Sequence, residues 1–166
     1  EDGIRDRSPS RGLGDVYKRQ INHFEQTHQE LQSILNSLPE SALHWAPLED
    51  DANSPAILVT HMLGAERFRI HQIVAGYDIH RDRESEFQTS TATLDDLRST
   101  LEQVNADTKK MLLSITTADL DKIRPAARDY EQAESGRWHV LHTIEHFGIH
   151  LGHLSLTIQL HTSKHQ

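Results

Sequence analysis

Apolar positions recur at spacings of three and four along four stretches of the chain, the period of a helix that buries one face. From Ile21 to Leu38 the stripe passes through Phe24, His28, Leu31, Ile34, Leu35 and Leu38 and stops at Pro39, which predicts a first helix over 21–38. After a polar loop containing Trp45 and Pro47, Ser54 stands where an N-cap is wanted. Pro55 fills the first helical position, where its missing N–H costs nothing, so a second helix is predicted from there to about Gly76. Its inward face is expected to carry Ile57, Leu58, His61, Ala65 and Phe68. The third stripe, Leu94, Leu97, Leu101, Val104, Thr108, Met111 and Ile115, is opened by Thr93, Asp95 and Asp96 and carries no candidate ligand. The fourth helix is predicted from about Arg137 to Leu160. Residues 117–136 before it hold a short turn of helix, then Pro125 and a polar stretch ending in Gly136.

Four amphipathic helices and few β-branched alternations predict an all-α four-helix bundle. Two connections are longer than an up-and-down bundle needs, so crossovers, or loops folding over one end to shape a pocket, are expected. A length of 166 residues suits one domain. The first twenty residues, EDGIRDRSPSRGLGDVYKRQ, have no period and end in a stretch resembling translated adapter sequence. They are expected to be non-native and disordered, which leaves 21–163 as the domain.

The net charge of −8 is spread along the chain, and without the first twenty residues 12 basic face 21 acidic side chains. A nucleic-acid partner is therefore not expected. No apolar run reaches the span of a bilayer, so no membrane partner is expected either. There is no cysteine. That removes disulfides, thiolate nucleophiles and sulfur ligands together and leaves histidine and carboxylate as the strong metal ligands. With no signal-peptide pattern at the amino terminus, a cytoplasmic location is expected.

The 13 histidines are the chain's strongest pointer to chemistry. Random placement gives about one i,i+4 pair, yet there are three, and two of them share His146. On the fourth helix His139, His142, His146, His150, His153 and Thr157 fall on one face, while Val140, Phe147, Leu151, Leu154 and Ile158 point away. Imidazoles at i and i+4 can reach one ion while a third ligand arrives from another helix. Spacing alone leaves the pairs 142/146 and 146/150 as competing assignments. His61 is a polar ring among apolar neighbours on the second helix. His28 reads as a core-boundary histidine; with Glu25 it makes a single ExxH, too little for a di-iron bundle.

The segments SPAILVTHMLGAERFRIHQIVAG and HTIEHFGIHLGH, with LPESALHWAP, the RDRESEF loop and the closing HxxxHxGH pattern, resemble the DinB/YfiT superfamily over nearly all of 21–163. The resemblance implies a four-helix bundle holding a divalent ion, with zinc expected and nickel or iron as alternatives. The ligands would be His61, His146 and His150. Leu151 and His153 stand where many relatives have Arg and Gln, so the role of those side chains does not carry over.

The resemblance also implies a concrete activity. A low-molecular-weight thiol (bacillithiol, mycothiol or glutathione) would be activated at the ion and attack an electrophilic substrate, in detoxification or stress response. A non-catalytic metal-binding protein and a metal-hydroxide hydrolase are the alternatives, and relatives are often homodimers. A carboxylate-bearing thiol needs local positive charge, for which Arg67, Arg69, Arg81 and Arg83 are candidates. Trp138 is a candidate pocket cover, and Glu145 points too far from His150 to act on it from the same helix.

Overall fold

Leu31, Leu35, Leu38, Leu97, Leu101 and Val104, the heart of the first and third stripes, are all buried against one another and against the second and fourth helices. The computed structural model describes residues 9–48, 52–88, 91–126, 128–129 and 131–165, with side chains at Arg19 and from Ile21 onward, masked residues aside. Its long elements are α1 (Pro9–Ser37), α3 (Pro55–Glu66), α4 (Leu94–Ser114) and α6 (Gly136–Lys164). Two short helices, α2 (Glu40–Leu43) and α5 (Thr117–Asp121), sit in the connections. The only β-structure among the described residues is an antiparallel pair of two-residue strands, β1 (Ile123–Arg124) and β2 (Glu134–Ser135). The bundle forms a square in which α1 packs on α4 and α6, and α3 packs on the same two helices.

Local chemistry sets the helix starts. Ser54 accepts from the Ile57 N–H, and Ser135 accepts from the Trp138 N–H. Thr93 with Asp96 and Thr116 with Asp119 form reciprocal capping boxes at α4 and α5. The α1 backbone is helical from Pro9, twelve residues ahead of the Ile21 start read from the stripe. The reading of 1–20 as non-native and disordered falls, for residues 1–8, outside the described residues.

The second predicted helix differs in two ways. It is apolar on nearly every side, so its buried face centres on Leu58, Val59, Met62, Leu63 and Glu66, with His61 at the flank rather than the middle. After Glu66 it also widens into a π-helical stretch, Arg67–Val74, whose C-terminal end is marked by Ala75 N–H to Ile70 C=O at 2.9 Å. Gly76, at φ +82°, then ends the helix in the left-handed conformation that glycine adopts without strain.

Two apolar clusters make the core. The larger joins α1, α2, α3, α4 and α6 through residues such as Leu35, Met62, Leu101 and Phe147; the smaller joins Ile21, Phe24, Ile70, Val74, Leu112, Leu120 and Val140. Between them lies a buried polar layer of His28, Glu66, His71 and Thr108. His28, expected at the core boundary, lies inside the core: its ring is 2% exposed and donates from Nε2 to Glu66 at 2.7 Å and from Nδ1 to Asn105 at 3.0 Å.

Candidate functional site

Helix α6 is kept in register by Val140, Phe147, Leu151 and Leu154, which are buried. That fixes the flanking turn carrying His142, His146 and His150, each half-buried at the edge of the core. Across from it, Leu58, Met62 and Leu63 anchor α3 and bring His61 to the same edge. The His61 ring centroid lies 5.2 Å from both His146 and His150. The Nε2 atoms of His146 and His150 stand 3.2 Å apart, and one nitrogen from each of the three rings lies within 4.8 Å of the others.

This donor set suits a divalent ion. Nitrogens sharing a tetrahedral zinc stand about 3.4 Å apart, and the rings must be neutral to offer a lone pair. Burial, with the neighbouring imidazoles adding to it, holds His146 down to about 3 and His150 to about 4. His61 donates its Nδ1–H to Glu86 at 2.9 Å, which directs its Nε2 lone pair away from the carboxylate. Arg81 in turn holds both oxygens of Glu86, from Nε at 2.6 Å and from a terminal nitrogen at 2.7 Å. Burial pushes the Glu86 carboxyl up, but its bonds to His61 and Arg81 outweigh that and keep it below its ordinary value.

A cavity of about 160 Å³ opens beside His61 and His146, walled by His142 and Thr143 on α6, Ala65 and Arg69 on the second helix, and Arg81, Arg83 and Arg128 from the loops. The two long connections thus do shape a pocket. Of the four arginines expected near a ligand, Arg69, Arg81 and Arg83 line it, while Arg67 is exposed and borders a separate groove with Thr60, Ser85 and Leu97. The reason is angular: Arg67 and Arg69 are two apart, so they leave the helix on different sides.

The arginines do not stand alone. Arg69 pairs with Glu131 at 2.6 Å and also approaches Nδ1 of the buried His139 at 3.2 Å. Burial, with the Arg69 charge second, brings His139 down to about 4. Trp138 does not line the cavity; it stacks on His142 at 4.5 Å and backs that ring. His153 is exposed, with Nδ1 3.4 Å from that of His150, and faces a different groove with Pro47 and Leu156. His142 stays outside the three-ring cluster, its centroid 6.1 Å from His146. Glu145 is exposed and 3.8 Å from His142.

The residues that sequence reasoning missed are Glu86 as the partner of His61, Arg128 in the cavity wall, and Glu131 as the partner of Arg69. The RDRESEF loop offered a weak signal for Glu86, since a carboxylate that follows two arginines within five residues is easily read as mere surface pairing. The segment around Arg128 carried none.

The sequence model of the mycothiol-S-transferase family matches residues 21–160. The chain belongs to that family. Its bundle resembles the crystal structure of a DinB-like protein, YjoA of Bacillus subtilis, with a TM-score of 0.65 over 85% of this chain and 90% of that one. At 20% identity this likeness speaks for the fold, and it agrees with the DinB/YfiT resemblance seen in the sequence. No curated protein matches. In this member of the mycothiol-S-transferase family the three-histidine cluster stands beside the arginine-lined cavity. Among the described residues no helix is long and apolar enough to cross a membrane.

Proposed function

We propose that this protein transfers a low-molecular-weight thiol to an electrophile at a divalent ion held by His61, His146 and His150. The carrying observation is the convergence of three imidazoles from two helices, within 4.8 Å, with His61 and His146 on the wall of an arginine-lined cavity. When bound by three neutral ligands, such an ion keeps open positions and stabilises the anionic form of a thiol that reaches it. Zinc suits an all-nitrogen set, as do nickel and iron. Family membership favours mycothiol over bacillithiol and glutathione.

The chain's own residues prepare that chemistry. Glu86 fixes the tautomer and orientation of His61, and Arg81 fixes Glu86. His146 and His150 remain neutral well below physiological pH, so protons do not compete for their lone pairs. Arg69, Arg81 and Arg83 supply positive charge to orient an anionic group of the thiol or of the electrophile, with Arg128 added to the three found by sequence. The half-buried walls limit water around the reacting sulfur. Overall, sulfur forms a bond to the electrophilic carbon, the leaving group departs with its electron pair, and the thiol proton passes to solvent.

Cobalt substitution tests this reading. Adding mycothiol to the cobalt protein should produce a sulfur-to-cobalt charge-transfer band, and consumption of an electrophile should stop in His146→Ala. A cobalt protein that shows no such band with any of the three thiols, yet hydrolyses esters or amides, would replace thiol transfer with metal-hydroxide hydrolysis.

A further inference from the structure

The polar layer in the core is not needed for packing, since apolar side chains would fill the gap between the two clusters at least as well. Its centre is Thr108, 1% exposed, on α4. The Thr108 hydroxyl donates to Glu66 at 2.5 Å and accepts from Nε2–H of His71 at 2.9 Å. Glu66 and His71 are 0% and 3% exposed and flank the start of the widened stretch Arg67–Val74.

The spacing of those partners carries the point. Residues five apart on a regular α-helix point about 140° away from each other, too far to share one hydroxyl. In a helix widened to i→i+5 bonding, each residue turns roughly 82°, and the separation falls to about 50°. The same widening brings Arg69 to within about 15° of Ala65, on the cavity side, where a regular helix would carry it about 40° further round. Arg69 is in fact a cavity residue together with His61 and Ala65. On the opposite side, His28 holds the second oxygen of Glu66 at 2.7 Å, so the clamp is anchored in α1 as well as α4.

We infer that Thr108 is a positioning residue for Arg69: by joining Glu66 to His71 it holds the π-helical stretch and thereby keeps the Arg69 guanidinium in the cavity wall. This does not depend on an ion being bound at the histidines.

Trp138 reports on it, because the Arg69 guanidinium lies 5.5 Å from its ring and the chain's other tryptophan, Trp45, can be changed to phenylalanine. In a Trp45→Phe background, Thr108→Val should shift Trp138 emission as Arg69→Gln does. It should also speed amide exchange in residues 70–77 by about tenfold or more relative to the rest of the bundle. Thr108→Ser keeps the hydroxyl and should restore both. If Thr108→Val does not fold, the pair His71→Gln, which retains a donor, and His71→Leu, which does not, should split in the same way. Emission and exchange unchanged in Thr108→Val, or equally altered in Thr108→Ser, would overturn the assignment.

Discussion

Glu86 accepts a hydrogen bond from His61 at 2.9 Å while both of its oxygens are held by Arg81, so a carboxylate twenty-five residues away sets the tautomer of one ring in the three-histidine cluster. Carboxylate partners of ligating histidines govern ring orientation and basicity, and losing one lowers metal affinity by about 10- to 100-fold. Glu86→Gln should therefore weaken zinc binding by that factor in competition with a chromogenic chelator, with retention of the fold in the metal-free protein checked by circular dichroism. Equal affinity in variant and parent would show that His61 is positioned without Glu86.

Gly64 supplies an independent handle on the same contact. A Cβ at this position would lie only 2.3 Å from Oε1 of Glu86. Alanine favours a helix over glycine by about 1 kcal/mol, so Gly64→Ala should leave helicity by circular dichroism intact while displacing Glu86 and reducing metal affinity in the direction of Glu86→Gln. A variant that binds metal as tightly as the parent would mean the carboxylate can move without consequence.

His28 and Glu66 form a buried pair, and removing one partner of such a pair costs about 3–5 kcal/mol. Burial alone would lower the His28 pKa, but the Glu66 hydrogen bond and charge, with Asn105, raise it above the ordinary value. A raised folded-state pKa means the stabilisation is complete below about pH 6.5 and lost as pH rises through the folded value. The difference in urea-unfolding free energy between the parent and His28→Gln should shrink as pH rises from 6 to 9. A difference that is constant or grows would show that His28 is not held as the cation.

His146 and His150 act in the other direction. Their folded values of about 3 and about 4 lie below the unfolded one, so the unfolded chain takes up protons first on acidification. The metal-free protein should lose stability as pH falls from about 6.5 toward about 4, and His146→Ala with His150→Ala should flatten that slope. In the imidazole NMR spectrum neither ring should titrate between pH 8 and 5; an inflection near 6.5 would contradict the burial assigned to them.

Much of this was legible in the chain itself. The leucine stripes gave α1 and α4 because each has one apolar face, and the Ser54–Pro55 and Thr93–Asp96 pairs marked helix starts through capping chemistry that acts within a single turn. The histidine stripe and the ring at His61 are visible without knowing the fold, but spacing leaves 142/146 and 146/150 as rival pairs, and it is the DinB/YfiT resemblance that singles out His61, His146 and His150. The face of α3 was less legible, since a helix that is apolar nearly all round has no preferred direction until its neighbours are in place. The widened stretch after Glu66 is set by Thr108 and His28, which are far away in sequence, and periodicity read at 100° per residue cannot anticipate it. Glu131 joins Arg69 across 62 residues, a pairing that only the folded loop creates.

The most direct measurement is the metal content of protein purified without a metal-affinity step, with His61→Ala, His146→Ala and His150→Ala measured alongside. The parent should carry one divalent ion per chain and each variant should lose it, with folding retained by circular dichroism. A parent that takes up no divalent ion even when one is supplied in excess, or a triple variant that retains it in full, would contradict the three-histidine centre.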